Sequence, residues 1–306
     1  MAVRWTKLGQ VCTGGWNLSW ASTHAAAPIV ERISDRAVRV YFTARDEAGR
    51  SHIGAGELNL DRLSEGLRAL PHPVFRPGHP GAFDESGVTT SSLVVREGQR
   101  FLYYTGWTQG VTVPFYFYAG LAVAQGDGSF VRVSRAPLLE RSEIDPFLTA
   151  SPWVLVEDGL WRMWYVSGVR WDTTPQGPKH LYNIKYAESR NGVDWTRLGR
   201  VSVDFATPDE HAFGRPCVLK EPDGRYRMWY SYRGDGYRIG YADSADGITW
   251  ERKDDQAGID PSPSGWDADM IEYPVVFDAG GRRYMLYNGN GYGRSGMGLA
   301  VLDTPQ

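Results

Sequence analysis

The sequence predicts an all-β fold in which residues 1–306 form a single five-bladed β-propeller domain. Three observations lead to this prediction: a four-strand unit that repeats five times, a first segment that matches the fourth strand of that unit, and a composition suited to short strands. Aromatic residues make up 13% of the chain, which also contains 36 Gly and 18 Pro. Such a composition is typical of many short strands joined by tight turns.

The second strand of each unit is the clearest part of the repeat. Residues 160–167 (LWRMWYVS) match residues 225–232 (RYRMWYSY) and residues 282–289 (RRYMLYNG). Shorter versions occur at 100–106 (RFLYYTG) and 38–44 (VRVYFTA). Each is an aromatic or β-branched run of strand length, and five such runs at intervals of roughly 50 to 60 residues are typical of a propeller.

The other strands of the unit surround this one in a fixed order. An apolar run such as 152–156 (PWVLV) precedes it and ends in a glycine-containing turn. A third strand such as 184–189 (IKYAES) follows it, and a fourth begins after Asn191-Gly192 or Asp246-Gly247. Asn-Gly and Asp-Gly are strong hairpin turns, so the unit consists of four antiparallel strands.

The two ends of the sequence complete one another. The last unit ends after its third strand, 297–302 (MGLAVL), whereas residues 5–9 (WTKLG) match the fourth strand at 195–199 (WTRLG). We therefore expect the first segment to supply the outer strand of the last blade and to close the ring. An open ring would expose strand edges that promote aggregation.

The charge and composition of the chain limit the kinds of partner that it is expected to bind and the compartment in which it is expected. A net charge of −3 does not indicate nucleic acid or an anionic membrane as a partner. Neither a signal-peptide core nor a run approaching 18 apolar residues is found, which favours a cytoplasmic protein. Cys12 and Cys217 are too few for a disulfide framework, and we expect two reduced thiols. No cofactor is expected, because no His/Cys cluster has zinc-ligand spacing; a calcium ion in the channel stays open.

Polar segments lead into the first strand of every blade, where a propeller places its ligands near one mouth of the channel. All five are rich in polar or ionisable groups, so together they predict a polar funnel. They are residues 22–28 (STHAAAP), 83–92 (FDESGVTTSS), 145–152 (DPFLTASP), 209–216 (DEHAFGRP) and 266–274 (WDADMIEYP).

The repeated strands resemble those of the five-bladed glycosidase clan of arabinanases, invertases and levansucrases, and of the related mannoside phosphorylases. Residues 38–53, 110–114 and 287–293 are similar to a poorly characterised bacterial group of propellers often encoded among polysaccharide and sugar-assembly genes. The resemblance implies a carbohydrate-active enzyme that acts on a glycosidic bond of a small or activated intracellular sugar. Hydrolysis, phosphorolysis and transfer all remain open.

The candidate catalytic residues depart from the clan. Hydrolysis requires two carboxyl groups on either side of the bond, and the clan supplies one from its first blade. Here the first blade carries His24 followed by three alanines. Glu210 lies where the clan keeps its general acid, and Asp84 and Asp267 are candidates for a second carboxylate. Alternatively, phosphate makes a second carboxylate unnecessary, or the site binds without catalysing.

The remaining candidates are predicted to bind substrate. A cationic subset (Arg170, Lys179, His180, Arg215 and Arg233) suits a phosphate or carboxylate. The expected partner is therefore a small carbohydrate or a sugar phosphate, with the oligomeric state open. Two alternatives are a non-catalytic propeller that binds a sugar or nucleotide sugar, and unrelated small-molecule biosynthetic chemistry. The full set adds His24, Glu85, Ser151, His211, Glu272 and Asn288.

Overall fold

A computed structural model describes residues 3–303 of the chain, and its regular structure is almost entirely β. Short 3₁₀ turns occur at Leu63–Glu65 and Asp254–Gln256, and one helical turn, α1, at Asn290–Gly293. The strands are β1 (Trp5–Cys12), β2 (Thr23–Arg32), β3 (Ala37–Arg45), β4 (Ser51–Asn59), β5 (Arg68–Ala69), β6 (Gly87–Arg96), β7 (Gln99–Gln109), β8 (Phe115–Ala124), β9 (Phe130–Arg132), β10 (Thr149–Glu157), β11 (Leu160–Thr174), β12 (Gly177–Ser189), β13 (Trp195–Val203), β14 (Ala212–Lys220), β15 (Tyr226–Arg233), β16 (Tyr237–Ser244), β17 (Glu251–Arg252), β18 (Glu272–Ala279), β19 (Arg282–Asn288) and β20 (Met297–Leu302).

The strands pair antiparallel in groups of four. Four groups follow the chain, β2–β5, β6–β9, β10–β13 and β14–β17, whereas the last has the order β1-β20-β19-β18. Single parallel bridges, Ser51 to Gly87 and Tyr182 to Ala212, join neighbouring groups into larger sheets. Over residues 3–303 none of these sheets closes on itself. The first strands β2, β6, β10, β14 and β18 contact one another in that order, and β18 contacts β2.

The repeated aromatic and glycine residues account for the packing within a group. In the second and fourth groups an aromatic ring of the second strand lies over a glycine of the third. A Cβ added to Gly120 would lie 2.4 Å from the Tyr104 ring, and one added to Gly240 would lie 2.4 Å from the Tyr230 ring. No larger residue fits at these two positions, whereas Lys185 pairs with Tyr165 at the equivalent position of the third group.

The core lies between neighbouring groups, where the faces of two sheets meet. Ile29 and Ile53 of the first group, for example, pack against Leu102 and Tyr104 of the second. Burying both faces of each sheet explains the high content of large apolar side chains. The first strand of the chain takes part in this packing, since the buried Trp5 ring meets Trp229 edge to face at 6.2 Å between centroids.

The segment between Ser167 and Leu181 is regular. Strands β11 and β12 continue through it as one long hairpin with a turn after Thr174. The register pairs Trp171 with His180, which brings aromatic rings together along the extension. In the part of the chain that the structure describes, no helix has the length and apolarity of a membrane span.

Candidate functional site

Every first strand is interrupted by a register shift at the same place. In β6 the shift falls between Thr90 and Ser92. In the other four, the residue just before a proline adopts a left-handed backbone conformation. This conformation is unfavourable for a residue with a Cβ, more so before proline, and persists only where the surrounding structure holds it. The four residues are Ala27 (φ 51°), Ser151 (φ 49°), Arg215 (φ 41°) and Tyr273 (φ 54°).

These four residues line one cavity of about 410 Å³, to which all five groups of strands contribute. The volume suits a small organic ligand. Besides the four, the lining consists of His24, Ala26, Thr43, Arg45, Ser51, Thr89, Thr105, Trp107, Gln109, Pro114, Phe115, Phe117, Ala150, His180, Tyr182, Arg233, Tyr237 and Tyr292.

Arg215 is the most deeply buried cation of the cavity, with 2% of its surface exposed. Its Nη2 donates to the carbonyl oxygens of Pro28 (2.5 Å) and Ser91 (3.3 Å), tying β14 to β2 and β6. Its Nε and Nη1 have no hydrogen-bond partner among the described residues. Burial lowers the pKa of the guanidinium to about 10, so that it remains a cation at neutral pH.

Arg233 lies against tyrosines on one side of the cavity. Its Nη1 donates to the Tyr292 hydroxyl at 2.7 Å, and its guanidinium lies 5.5 Å from the centre of the Tyr237 ring. The hydroxyls of Tyr182 and Tyr237 lie 3.5 Å apart. Tyr182, Tyr237, Tyr273 and Tyr292 are called the tyrosine wall below. Burial raises the pKa of Tyr182 to about 12 and that of Tyr273 well above its usual value, so these phenols are neutral at neutral pH.

A second set of rings forms another part of the lining. Phe115 and Phe117 stack at 4.2 Å between ring centroids, and Phe115 lies 5.4 Å from His180. The His180 ring stacks in turn on Tyr182 at 4.7 Å. These contacts join the start of β8 to the extended β11–β12 hairpin. Phe115, Phe117 and His180 are called the aromatic platform below.

Both histidines of the lining are neutral at neutral pH. Burial, reinforced by Arg45 and Arg294, lowers the pKa of His24 to about 4. Burial, reinforced by His211, Arg233 and Lys179, lowers the pKa of His180 to about 4. No carboxylate belongs to the described lining, so its charge at neutral pH comes from Arg45, Arg215 and Arg233.

Three acids of the predicted funnel turn away from the cavity and bind within their own group of strands. Each accepts a hydrogen bond at 3.0 Å from a tyrosine of the second strand and pairs with a cation of the fourth. These anchored carboxylates are Asp84 with Tyr104 and Arg132 (2.7 Å), Asp145 with Tyr165 and Arg197 (2.9 Å), and Asp267 with Tyr287 and Lys7 (2.7 Å).

Glu210 in the fourth group is also bound by a cation of the fourth strand, although the tyrosine of the second strand, Tyr230, donates to Asp254 instead. Both carboxylate oxygens accept from Arg252 at 2.7 Å, and the Ala206 amide donates to Oε2 at 2.9 Å. Burial alone would raise the pKa of Glu210, but these hydrogen bonds hold it below its usual value. The geometry favours a structural carboxylate. The assignment of Glu210 as general acid stays a prediction.

Of the predicted substrate-binding residues, five line the cavity: His24, Ser151, His180, Arg215 and Arg233. Several others lie outside the lining. Arg170 is exposed and pairs with Asp172 at 2.7 Å, and Lys179 on β12 is also exposed. Glu85 accepts from the Gly81 amide at 2.5 Å.

Asn288 and His211 lie close to the cavity without lining it. Asn288 is fully buried and its amide is occupied, accepting from the Ala27 amide at 2.7 Å and donating to the Ala25 and Gly296 carbonyls at 2.6 and 2.8 Å. It therefore holds the left-handed bend of β2. The His211 ring lies 5.9 Å from that of His180.

Glu272, the first residue of β18, is also outside the lining but stands behind the tyrosine wall. It is fully buried, and neither carboxyl oxygen has a hydrogen-bond partner among residues 3–303. Burial raises its pKa well above the usual value, although Arg233 opposes this shift. Burial therefore favours the neutral form of this carboxyl.

Sequence reasoning missed Arg45, the tyrosine wall and the phenylalanines of the aromatic platform. Tyr273 carried a usable signal, because it precedes Pro274 as Arg215 precedes Pro216. The others lie on second or third strands or, in the case of Tyr292, in α1, where nothing in the repeat distinguishes them. No group of three His, Cys, Asp or Glu side chains between residues 3 and 303 is arranged to hold a metal ion.

Comparison with known proteins identifies relatives and a fold. No protein-family model matches the chain. The uncharacterized proteins MT1551 and Rv1502 of Mycobacterium tuberculosis are each 44% identical over 300 residues, covering 98% of this chain and 99% of theirs.

Among solved structures, a glycoside hydrolase has a TM-score of 0.73 at 17% identity, covering 98% of this chain and 92% of that one. A structure from the GH130 family of mannoside phosphorylases has a TM-score of 0.73 at 16% identity, covering 98% and 94%. A thermostable family-43 glycoside hydrolase has a TM-score of 0.65 at 15% identity, covering 94% and 91%. At such identities the likeness establishes the fold, which is that of the glycoside hydrolase propellers.

Proposed function

The chain belongs to one family with the two mycobacterial proteins, and from the chemistry of its cavity we propose that it is a carbohydrate-active protein that takes a small sugar bearing an anionic group. The observation that carries this proposal is that the lining formed by residues 3–303 contains three arginines and no carboxylate. The likeness to glycoside hydrolases and mannoside phosphorylases supports the carbohydrate.

The anionic group follows from Arg215. Its Nε and Nη1 are buried donors without an acceptor, which is costly unless a ligand supplies one. A phosphate or carboxylate offers several oxygens to a planar guanidinium, and such charge-assisted hydrogen bonds are the stronger kind. Arg45 and Arg233 add positive charge at the same cavity, so an anion entering it meets no lining carboxylate.

The aromatic platform offers a surface on which the sugar part of the ligand can pack. Pockets for small molecules combine apolar and aromatic surfaces with a few polar groups that fix orientation. The stacked rings of Phe115 and Phe117 offer such a surface, while the neutral imidazoles of His24 and His180 can exchange hydrogen bonds with hydroxyl groups.

For the reaction, we favour phosphorolysis of a glycosidic bond over hydrolysis. Hydrolysis by two carboxyl groups needs a pair roughly 5 to 9.5 Å apart beside the bond. The anchored carboxylates are held by tyrosines and cations within their own groups, and Glu210 is held by Arg252. Phosphorolysis needs one acid and a site for the attacking phosphate, and the arginines supply the second of these. Binding of an anionic sugar or nucleotide sugar without catalysis is the second candidate, favoured by the lack of a lining carboxylate.

The wider setting is proposed on the sequence pattern. The five groups of strands would be the blades of a single-domain propeller whose ring is closed by β1, consistent with the pairing of β1 with β20 and the contact of β18 with β2. The similarity to propellers encoded among polysaccharide genes suggests a cytoplasmic role in polysaccharide assembly.

Phosphate binding tests the proposal directly. Calorimetric titration and thermal unfolding should both detect inorganic phosphate, which at a hundredfold excess over its dissociation constant adds about 2.7 kcal/mol of stability. For a chain of this length that corresponds to a rise in Tm of about 4 °C. Arg233→Gln should weaken phosphate binding, whereas the matched control Arg170→Gln, exposed and outside the lining, should not. Stabilisation by methyl mannoside but not by phosphate would refute the anion site.

A further inference from the structure

Glu272 is an unusual carboxyl group for this protein. The three anchored carboxylates and Glu210 each have at least two donors, including a cation at 2.7 to 2.9 Å. Glu272 has no hydrogen bond among the described residues and no exposed surface. An ionised carboxylate without donors is very unfavourable in a protein interior, so the group is held as the neutral acid.

The groups that face Glu272 come from four neighbouring elements. Arg233 at the end of β15 is the cation that acts on it, and the Tyr273 side chain and the Tyr292 backbone lie beside it without the geometry of a hydrogen bond. Tyr182 on β12 and Tyr237 on β16 are close enough that an ionised Glu272 would raise their pKa values. Tyr273, Tyr292 and Arg233 also line the cavity, so a single layer of side chains separates Glu272 from the ligand.

The backbone conformation around Glu272 determines how the side chains between Glu272 and the cavity are oriented. Glu272 pairs with Asn288, which holds the left-handed bend at Ala27. The following residue, Tyr273, has a left-handed φ of 54°, and its amide donates to Ser231 Oγ at 2.7 Å. This bend turns Tyr273 towards the cavity while Glu272 stays behind it. The same bend occurs at Ala27, Ser151 and Arg215, so it belongs to the scaffold, and the feature particular to β18 is the phenol that the bend carries to the cavity.

We propose that Glu272 is the proton source for the departing glycosidic oxygen and acts through the Tyr273 hydroxyl. The inference rests on the proposed action of the cavity on a glycosidic bond. Tyr273 would give its proton to the oxygen as the bond to the anomeric carbon breaks, and would take the proton of Glu272. An oxygen of hydrogen phosphate forms the new bond to that carbon. The proton that hydrogen phosphate loses restores Glu272, and meanwhile Arg233 stabilises the transient carboxylate.

In this scheme Glu272 is a positioning residue that acts through Tyr273. It differs from Glu210 in the protonation state that its surroundings favour. A general acid must carry its proton at the working pH. The hydrogen bonds from Arg252 favour the ionised form of Glu210, whereas burial favours the protonated form of Glu272.

Infrared difference spectroscopy tests the protonation state of Glu272 and does not require the sugar to be known. A protonated carboxyl group absorbs at a different frequency from an ionised one. At neutral pH the wild type should show a protonated-carboxyl band that Glu272→Gln lacks and that the control Glu85→Gln retains. Adding inorganic phosphate should shift the frequency of this band. Tyr273→Phe should keep the band but remove its response to phosphate, which also covers the case in which Glu272→Gln does not fold.

The outcomes separate the two proposals. Identical spectra of wild type and Glu272→Gln in this region would mean an ionised Glu272 and would overturn the inference. A band that ignores bound phosphate, or that still responds in Tyr273→Phe, would overturn the relay. A band present in a protein that binds no phosphate would refute the anionic ligand and still support Glu272 as the neutral acid.

Discussion

Replacing Glu210 by glutamine separates a structural carboxylate from a catalytic one. The substitution keeps the shape of the side chain and removes its charge. Arg252 then loses its two hydrogen bonds to a carboxylate at 2.7 Å but keeps Asp254 at 2.6 Å. Because Glu210 and Arg252 are 8% and 17% exposed, this interaction is shielded from solvent. The loss of charge-assisted hydrogen bonds should cost about 2 kcal/mol.

For about 300 ordered residues the unfolding entropy converts that loss into a fall in Tm of about 3 °C, measurable by scanning calorimetry. Since the pKa of Glu210 is lowered in the folded protein, its contribution is complete above pH about 4 and is lost as the pH falls through the folded pKa. The difference between the two proteins should therefore shrink in acid.

Asp84→Asn should lower Tm similarly, because Asp84 is anchored in the same way, whereas Glu85→Gln should have little effect. Phosphate affinity should be unchanged in all three variants. The reasoning fails if Glu210→Gln keeps the wild-type Tm and instead lowers turnover by roughly 10²- to 10⁴-fold, as expected for a general acid.

Two further predictions concern the scaffold. Removing residues 1–9, of which residues 1 and 2 lie outside the described range, should expose the edge of β20 and the ring of Trp229. We expect the truncated protein to aggregate, which light scattering would detect. A truncated protein that stays monomeric with an unchanged Tm would contradict the role of β1. Ala27→Gly should relieve the left-handed backbone at φ 51°, so Tm should stay equal or rise, instead of showing the loss of roughly 0.5–1 kcal/mol that glycine usually brings to a strand.

The strands were predictable because the repeat fixes them. Residues 160–167, 225–232 and 282–289 lie in β11, β15 and β19 as expected, apart from a few residues at their ends. The pairing of residues 5–9 with β20 was also predictable, since only a fourth strand carries the pattern Trp-Thr-Lys/Arg-Leu-Gly.

The site was predictable only in part. The entry segments do contain cavity residues such as His24, Ser151 and Arg215, because every first strand bends at the same place. Their acids do not reach the cavity. The direction of a side chain depends on which partner is within reach, and the cation that binds Asp84 lies 48 residues further along the chain, at Arg132. Sequence spacing alone could not decide between a cation and a ligand as that partner.

The repeat nevertheless indicates which acids bind a cation of their own group and which residues are available to a ligand. An acid before the first strand, a tyrosine in the second and a cation in the fourth recur together, as in Asp145, Tyr165 and Arg197. A combination that recurs in three of the five groups is most simply explained by a requirement of the scaffold. At the bend of the first strand the residue changes instead, from alanine and serine in three groups to Arg215 and Tyr273 in the last two. Those two side chains bring to one cavity a phenol and a guanidinium whose Nε and Nη1 have no hydrogen-bond partner among the described residues. In a molecule built of equivalent units, chemistry is therefore best sought where equivalent positions stop being alike.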